Sequence, residues 1–150
     1  MVSHKVGHTD VQNKIAANNA ERFVQRELMS LGVSSELCGG SSEHDLLVNG
    51  GISLEVKSAR AIGRRLGEGY KHLVGRGGRF DIPNRTQREK LNESNRWVCF
   101  VIYAARKHRI LGFLRGEKVI VTRRHITLAS LLDENGLINE EEFVGLITKG

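Results

Sequence analysis

Two carboxylates and an amine stand close together in the chain: Asp45, Glu55 and Lys57. Residues 44–49 and 52–59 read as strands, and Asn49-Gly50-Gly51 between them is a strong hairpin signal. A three-residue loop pairs Val48 with Ile52, Leu46 with Leu54 and Asp45 with Glu55, which puts all the apolar partners on one face. A two-residue loop scrambles the faces. The three-residue register therefore sets Asp45 directly opposite Glu55, with Cβ atoms about 4.5 to 5.5 Å apart. Lys57, two residues along the same strand, projects from that face as well. Facing carboxylates repel unless something positive lies between them or one is protonated. A divalent cation is the simplest remedy. Oxygen ligands favour hard ions, Mg2+ with Mn2+ as its substitute, which bind through one or two carboxylates plus a substrate phosphate. An adjacent ammonium would orient a water or stabilise charge on a phosphoryl transition state. Metal-assisted phosphodiester hydrolysis follows, with an ordinary Glu55–Lys57 ion pair as the plain alternative.

The elements that must position these groups can be read from pattern and turn chemistry. Thr9 and Asp10 can cap a helix that runs to Leu31 and ends at Gly32, with Ala20, Val24, Leu28 and Leu31 as its apolar face and Glu21, Arg22 and Gln25 bordering it. Residues 1–9 precede it as a flexible amino terminus. Strands are expected over 33–38, 44–49 and 52–59, and residues 63–78, rich in glycine and arginine, read as a loop that with Arg79 forms a mobile basic segment. A capping box at Thr86 opens a short helix to Asn95. Residues 96–105 are an uninterrupted apolar run, the pattern of a central strand covered on both sides. Residues 108–114 and 117–122 read as a further hairpin across Arg115-Gly116. Helices over 127–132 and 139–147 close the chain, the second with an Asn139 to Glu142 capping arrangement.

Charge is distributed unevenly. The chain carries +6 overall; residues 60–90 and 104–125 each carry +6, and everything else sums to −6. Two basic blocks in an otherwise acidic chain fit a polyanion partner, since phosphate neutralisation with counterion release supplies most non-specific nucleic-acid affinity. Arg60, Arg64, Arg65, Lys71, Arg76, Arg79 and Arg85 are the candidate DNA contacts. At 150 residues and 16.7 kDa the chain reads as a single domain over 1–150. No apolar run is long enough to span a bilayer, and no amino-terminal stretch reads as a secretory signal, so a cytoplasmic, reducing setting is expected. There Cys38 and Cys99 read as two small buried thiols, and the six histidines show no zinc spacing.

Four stretches, AERFVQRELMSLG, CGGSSEHDLLVNGG, ISLEVKSA and TQREKLNESNRWVCFVIYA, together resemble the PD-(D/E)XK nuclease superfamily, and most of all the archaeal Holliday junction resolvases. The resemblance covers over half the chain. It matches Glu21 to the family's helix glutamate, Asp45 to the strand-leading aspartate, and Glu55-Val56-Lys57 to the Glu-Val-Lys of the next strand. It implies that Asp45, Glu55 and the Val56 carbonyl bind magnesium, that Lys57 assists the attacking water, that Glu21 completes the site and that Ser41, with Ser42 beside it, contributes from the preceding loop. His44 stands where the pattern has proline, and Gln87 falls at a position where related enzymes carry a helix glutamine. The implied fold is α/β, a restriction-endonuclease-like α/β/α layer around a central mixed β-sheet. The implied activity is structure-selective DNA cleavage of four-way junctions. Cutting both strands calls for a homodimer, for which Phe113, Phe143 and Ile147 are interface candidates, or else core. A restriction or repair-type endonuclease and a catalytically inactive nucleic-acid-binding module are the alternatives.

Overall fold

The structure is a computed structural model that describes residues 2–38, 45–49, 51–60, 79–81, 96–104, 107–118, 125–127 and 136–149. Val2–Ser30 forms α1, and its stripe of Ala20, Val24 and Leu28 is fully buried. Gly32 ends it in a left-handed conformation (φ 84°). There the N–H of Gly32 donates to Met29 O at 2.9 Å and that of Val33 to Leu28 O at 2.9 Å, which satisfies two carbonyls the helix end would strand. Leu31 lies past this end and is exposed instead of continuing the stripe. The helix starts at Val2, well ahead of the Thr9–Asp10 cap, and so takes in the residues read as a flexible terminus. Once a helix is nucleated each further residue adds a bond, and no proline before Asp10 stops it.

The strands are β1 (Ser35–Leu37), β2 (Leu46–Val48), β3 (Ile52–Arg60), β4 (Arg79–Asp81), β5 (Arg96–Ala104), β6 (Lys107–Arg115) and β7 (His125–Thr127); Glu140–Lys149 is α2. The main sheet runs β1-β2-β3-β5-β6 and is mixed, because β3 and β5 pair in parallel while the other neighbours are antiparallel. A separate antiparallel pair joins β4 to β7. The β2–β3 register is the three-residue one: Val48 pairs with Ile52 and Leu46 with Leu54. Asn49 takes the left-handed turn conformation (φ 52°) that asparagine tolerates, and the N–H of Gly51 closes the loop on Val48 O at 3.1 Å.

Both described helices pack on one face of the main sheet. Ala20, Val24 and Leu28 of α1 and Phe143 of α2 meet Leu46, Val48, Leu54, Val56, Trp97, Cys99, Val101 and Phe113 in one core. Val98, Phe100 and Ile102, the alternate residues of β5, are also buried, so this strand is covered on both sides as its unbroken apolar run predicts. Phe113 and Phe143 stack at 4.2 Å and Trp97 meets Phe143 edge-on at 5.1 Å. These phenylalanines are core, not dimer surface, and Ile147 packs half-buried against them. Phe23 of α1 stacks on His108 of β6 at 5.2 Å, which fixes the helix across the sheet.

Two readings of the later chain are corrected. Gly116–Lys118 is a single 3-10 turn with Gly116 buried, so Glu117 and Lys118 do not begin the strand expected over 117–122, whose remaining residues lie outside the described residues. Among the described residues the strand that pairs with β6 is β5, reached through residues 105–106, because pairing with the most apolar neighbour buries more surface. Thr127, read as a helix start, closes strand β7, where a β-branched residue is at ease. The reciprocal cap of α2 is as expected: Glu142 N–H donates to Asn139 Oδ1 at 2.8 Å and Asn139 N–H to Glu142 Oε1 at 3.1 Å. Just before it, Ile138 and Phe113 exchange backbone bonds of 2.7 and 2.9 Å, which covers part of the open edge of β6. The expected helix over 86–95 and the loop over 63–78 lie outside the described residues, as do 128–132. Arg79, placed in that loop, begins β4. Among the described residues no helix is long and apolar enough to cross a membrane.

Candidate metal and phosphate site

The site forms where β2 stops and β3 continues. In this ladder Ile52, Leu54 and Val56 turn their backbone groups toward β2, but pairing ends at Leu46 with Leu54. The N–H of Val56 is met instead by a side chain: Asp45 Oδ2 accepts it at 2.8 Å. Asp45 is itself fixed from the other side, because its carbonyl accepts the N–H of Cys38 at 2.9 Å. Asp45 thus lies one residue beyond the last pair of the hairpin, with its side chain on the Val56 N–H. Its carboxylate turns into the sheet edge to replace the missing β2 backbone. The Val56 carbonyl leaves β3 on the same edge as its N–H, since both groups of a residue turn to one neighbour in an antiparallel ladder.

Alternation along β3 places Ser53, Glu55 and Lys57 on the face opposite the buried Leu54 and Val56, and all three are half-buried. Burial pushes the Glu55 carboxyl up; Lys57 pulls it back, Asp45 raises it and Arg96 lowers it. Glu21, half-buried on α1, is pushed up to about 7 by burial and then by the Asp45 charge. Three carboxylates from α1, the approach to β2 and β3 thus share one electrostatic neighbourhood, with Asp45 coupled to each of the other two.

Among the described residues no group of three or more His, Cys, Asp or Glu side chains is arranged to hold a metal ion. The donor set to consider is smaller: the carboxylates of Asp45 and Glu55 and the carbonyl of Val56. Two hard oxygen anions, of which Asp45 raises the proton affinity of Glu55, with a carbonyl on the same strand edge, fit an ion that keeps waters of its own. Arg60 on β3 and Arg79 on β4 are described only as backbone, and Ser41, Ser42, His44, Arg64, Arg65, Lys71, Arg76, Arg85 and Gln87 lie outside the described residues. Arg96 is the addition that sequence reasoning missed. It became visible only through the parallel register of β3 and β5, which pairs it with Ser53.

The chain was compared with models of protein families, with curated proteins and with solved structures. It matches none of them.

Proposed function

We propose that the chain is a magnesium-dependent, structure-selective DNA endonuclease of the PD-(D/E)XK type, resembling the Holliday junction resolvases, in which the mixed sheet is the core of a restriction-endonuclease-like fold. The observation that carries this reading is the carboxylate of Asp45 tied to the Val56 N–H at 2.8 Å beside Glu55, with Lys57 on the Glu55 face. An ordinary Glu55–Lys57 ion pair accounts for neither Asp45 at the strand edge nor the raised Glu21. Asp45, Glu55 and the Val56 carbonyl would hold Mg2+ or Mn2+. A hard ion bound there supplies an acidified water and neutralises phosphate charge. The protein's own part is positioning. The Val56 N–H orients one Asp45 oxygen. Lys57 places an ammonium where it orients a water or meets developing negative charge, and Glu21 holds or releases a proton next to Asp45. Two basic blocks support a DNA partner, bound through phosphates and shape more than bases. One site per chain supports action as a homodimer on a four-way junction.

Labelled four-way junction, flap and linear duplex, incubated with Mg2+, Mn2+, Ca2+ or chelator, test the reading. Cutting of the junction in Mg2+ and Mn2+, absent in Ca2+ and chelator, is the expected result. Asp45→Asn and Glu55→Gln should abolish cutting while DNA affinity stays similar or rises, since each removes negative charge near phosphate. Preferred cutting of linear duplex would move the substrate to restriction or repair DNA. Junction binding without cutting of any DNA would leave a binding module.

A further inference from the structure

The turn at Gly32 sends β1 back along α1, and a side-chain bond joins the two: Gln25 Nε2 donates to Ser35 O at 3.0 Å. The Ser34 carbonyl accepts the N–H of Asn49, and Cys38 gives its own N–H to Asp45, so alternate residues of β1 turn their backbone to β2. The Ser35 carbonyl therefore points out from the end of the sheet, and the half-buried Gln25 amide meets it there. Glu21 stands four residues, about 6 Å, before Gln25 on the same face of the helix. Two residues along β1 from Ser35 cover about the same length. They reach Leu37, whose partner Leu46 adjoins Asp45, and Cys38 then holds the Asp45 carbonyl at 2.9 Å. The helix face that carries Gln25 thus brings Glu21 toward Asp45, in keeping with the Asp45 charge that acts on the Glu21 carboxyl. The other supports of α1 do not set this register. Its buried stripe of Ala20, Val24 and Leu28 packs without direction, and Phe23, stacked on His108, lies on the opposite flank of the helix. A hydrogen bond fixes both a length and an angle.

Resting on the nuclease reading and extending it, we propose that Gln25 is a positioning residue of the site: its bond to the Ser35 carbonyl sets the register of α1 on the sheet edge and so holds the Glu21 carboxyl at its working distance from Asp45. Gln25 acts through Glu21 and not on the substrate. A displacement of one ångström at a reacting group can cost about 100-fold in rate. Loss of the Gln25 donor should therefore appear in cutting and not in DNA affinity, and only while Glu21 is present.

Single-turnover cutting of a four-way junction in Mg2+ by the full chain tests this, with Gln25→Met and Glu21→Gln compared singly and together. Methionine keeps the length and packing of the side chain and removes only the donor. Gln25→Met should lower the rate about tenfold, with less than about a threefold change in DNA affinity. Gln25→Glu, which sets an acceptor against the Ser35 carbonyl, should be slowed at least as much, and it gives the same comparison where the methionine variant is poorly folded. Glu21→Gln should be slower still. Adding Gln25→Met to it should cost less than about twofold, because residues that act as a unit lose their effect only once. An equal loss with and without the Glu21 carboxyl marks a merely structural glutamine and overturns the assignment. Cutting by Gln25→Met, or by Glu21→Gln, at the wild-type rate overturns it as well, with cutting of the junction by wild-type protein untouched. A wild-type protein that cuts nothing in Mg2+ or Mn2+ overturns this assignment and the nuclease reading together.

Discussion

The Glu21 carboxyl, raised to about 7 by burial and by Asp45, gives the metal-free protein a pH dependence opposite in sign to that of a salt-bridged carboxylate. Between about 4.5 and 7 the folded state keeps a proton that the unfolded chain has released. Stability from this group is therefore full below the unfolded value and is lost as pH rises through about 7. Melting midpoints at pH 5 and pH 8 in chelator should show the loss, and Glu21→Gln should reduce it. The slope should not disappear, because Glu55 is shifted in the same direction. An unchanged slope in Glu21→Gln would remove Glu21 from the site. At pH 8, millimolar Mg2+ should raise the wild-type midpoint and chelator should reverse it, by the linkage that favours any state a ligand binds. Asp45→Asn should show no such rise. The β2–β3 register, and with it the common face of Glu55 and Lys57, was legible from sequence because a one-residue slip of a hairpin exchanges its faces, so apolar partners alone fix it. The turn of the Asp45 carboxylate into the sheet edge was not legible, since it depends on β2 stopping at Leu46.

Among the elements, α1 is held by its buried stripe. Leu28→Ala, at a fully buried position, should cost about 2 to 5 kcal/mol. The α2 cap is worth less: Asn139→Ala should cost about 1 kcal/mol in denaturant unfolding, as the N–H of Glu142 loses its acceptor. Gly112→Ala should be worse than Gly51→Ala. A Cβ at 112 would lie 2.7 Å from Leu137 Cγ and 3.0 Å from the Ile138 carbonyl, against the segment bonded to Phe113, whereas a Cβ at 51 meets nothing within 4 Å. Equal melting points for these two variants would contradict the tight seating of residues 137–138 on β6. The helix stripe, the first hairpin, the central strand and the α2 cap could all be read from sequence, for each is set by neighbours a few residues apart. The parallel pairing of β3 with β5 could not, because the pair is joined across residues 61–95 and no local pattern names the partner. The same gap concealed Arg96. Arg115-Gly116 misled for the converse reason: its turn chemistry was plausible, but the chain there enters a 3-10 turn in place of a strand start.

At the scale of the whole molecule, the core location of Phe143 and Phe113 separates stability from assembly. Phe143→Ala should lower stability by about 3 to 5 kcal/mol, and folded protein should sediment as wild type does, since that ring faces Phe113 and Trp97 inside the molecule. A folded variant that changed only its oligomeric state would return the ring to an interface. DNA affinity should fall steeply with salt, and each substitution in the basic block from Arg60 to Arg85 that removes a phosphate contact should flatten the log–log slope by about one unit. Fluorescence titration across a salt series measures this directly. The two thiols give the molecule an internal clock. Cys38 is partly open to solvent, whereas Cys99 lies fully buried at the heart of β5 with its thiol pushed well above the usual value. A maleimide added to native protein should modify the first promptly and the second only as fast as the central strand comes apart. The lag between the two labels thus counts unfolding events under conditions where no denaturant is present.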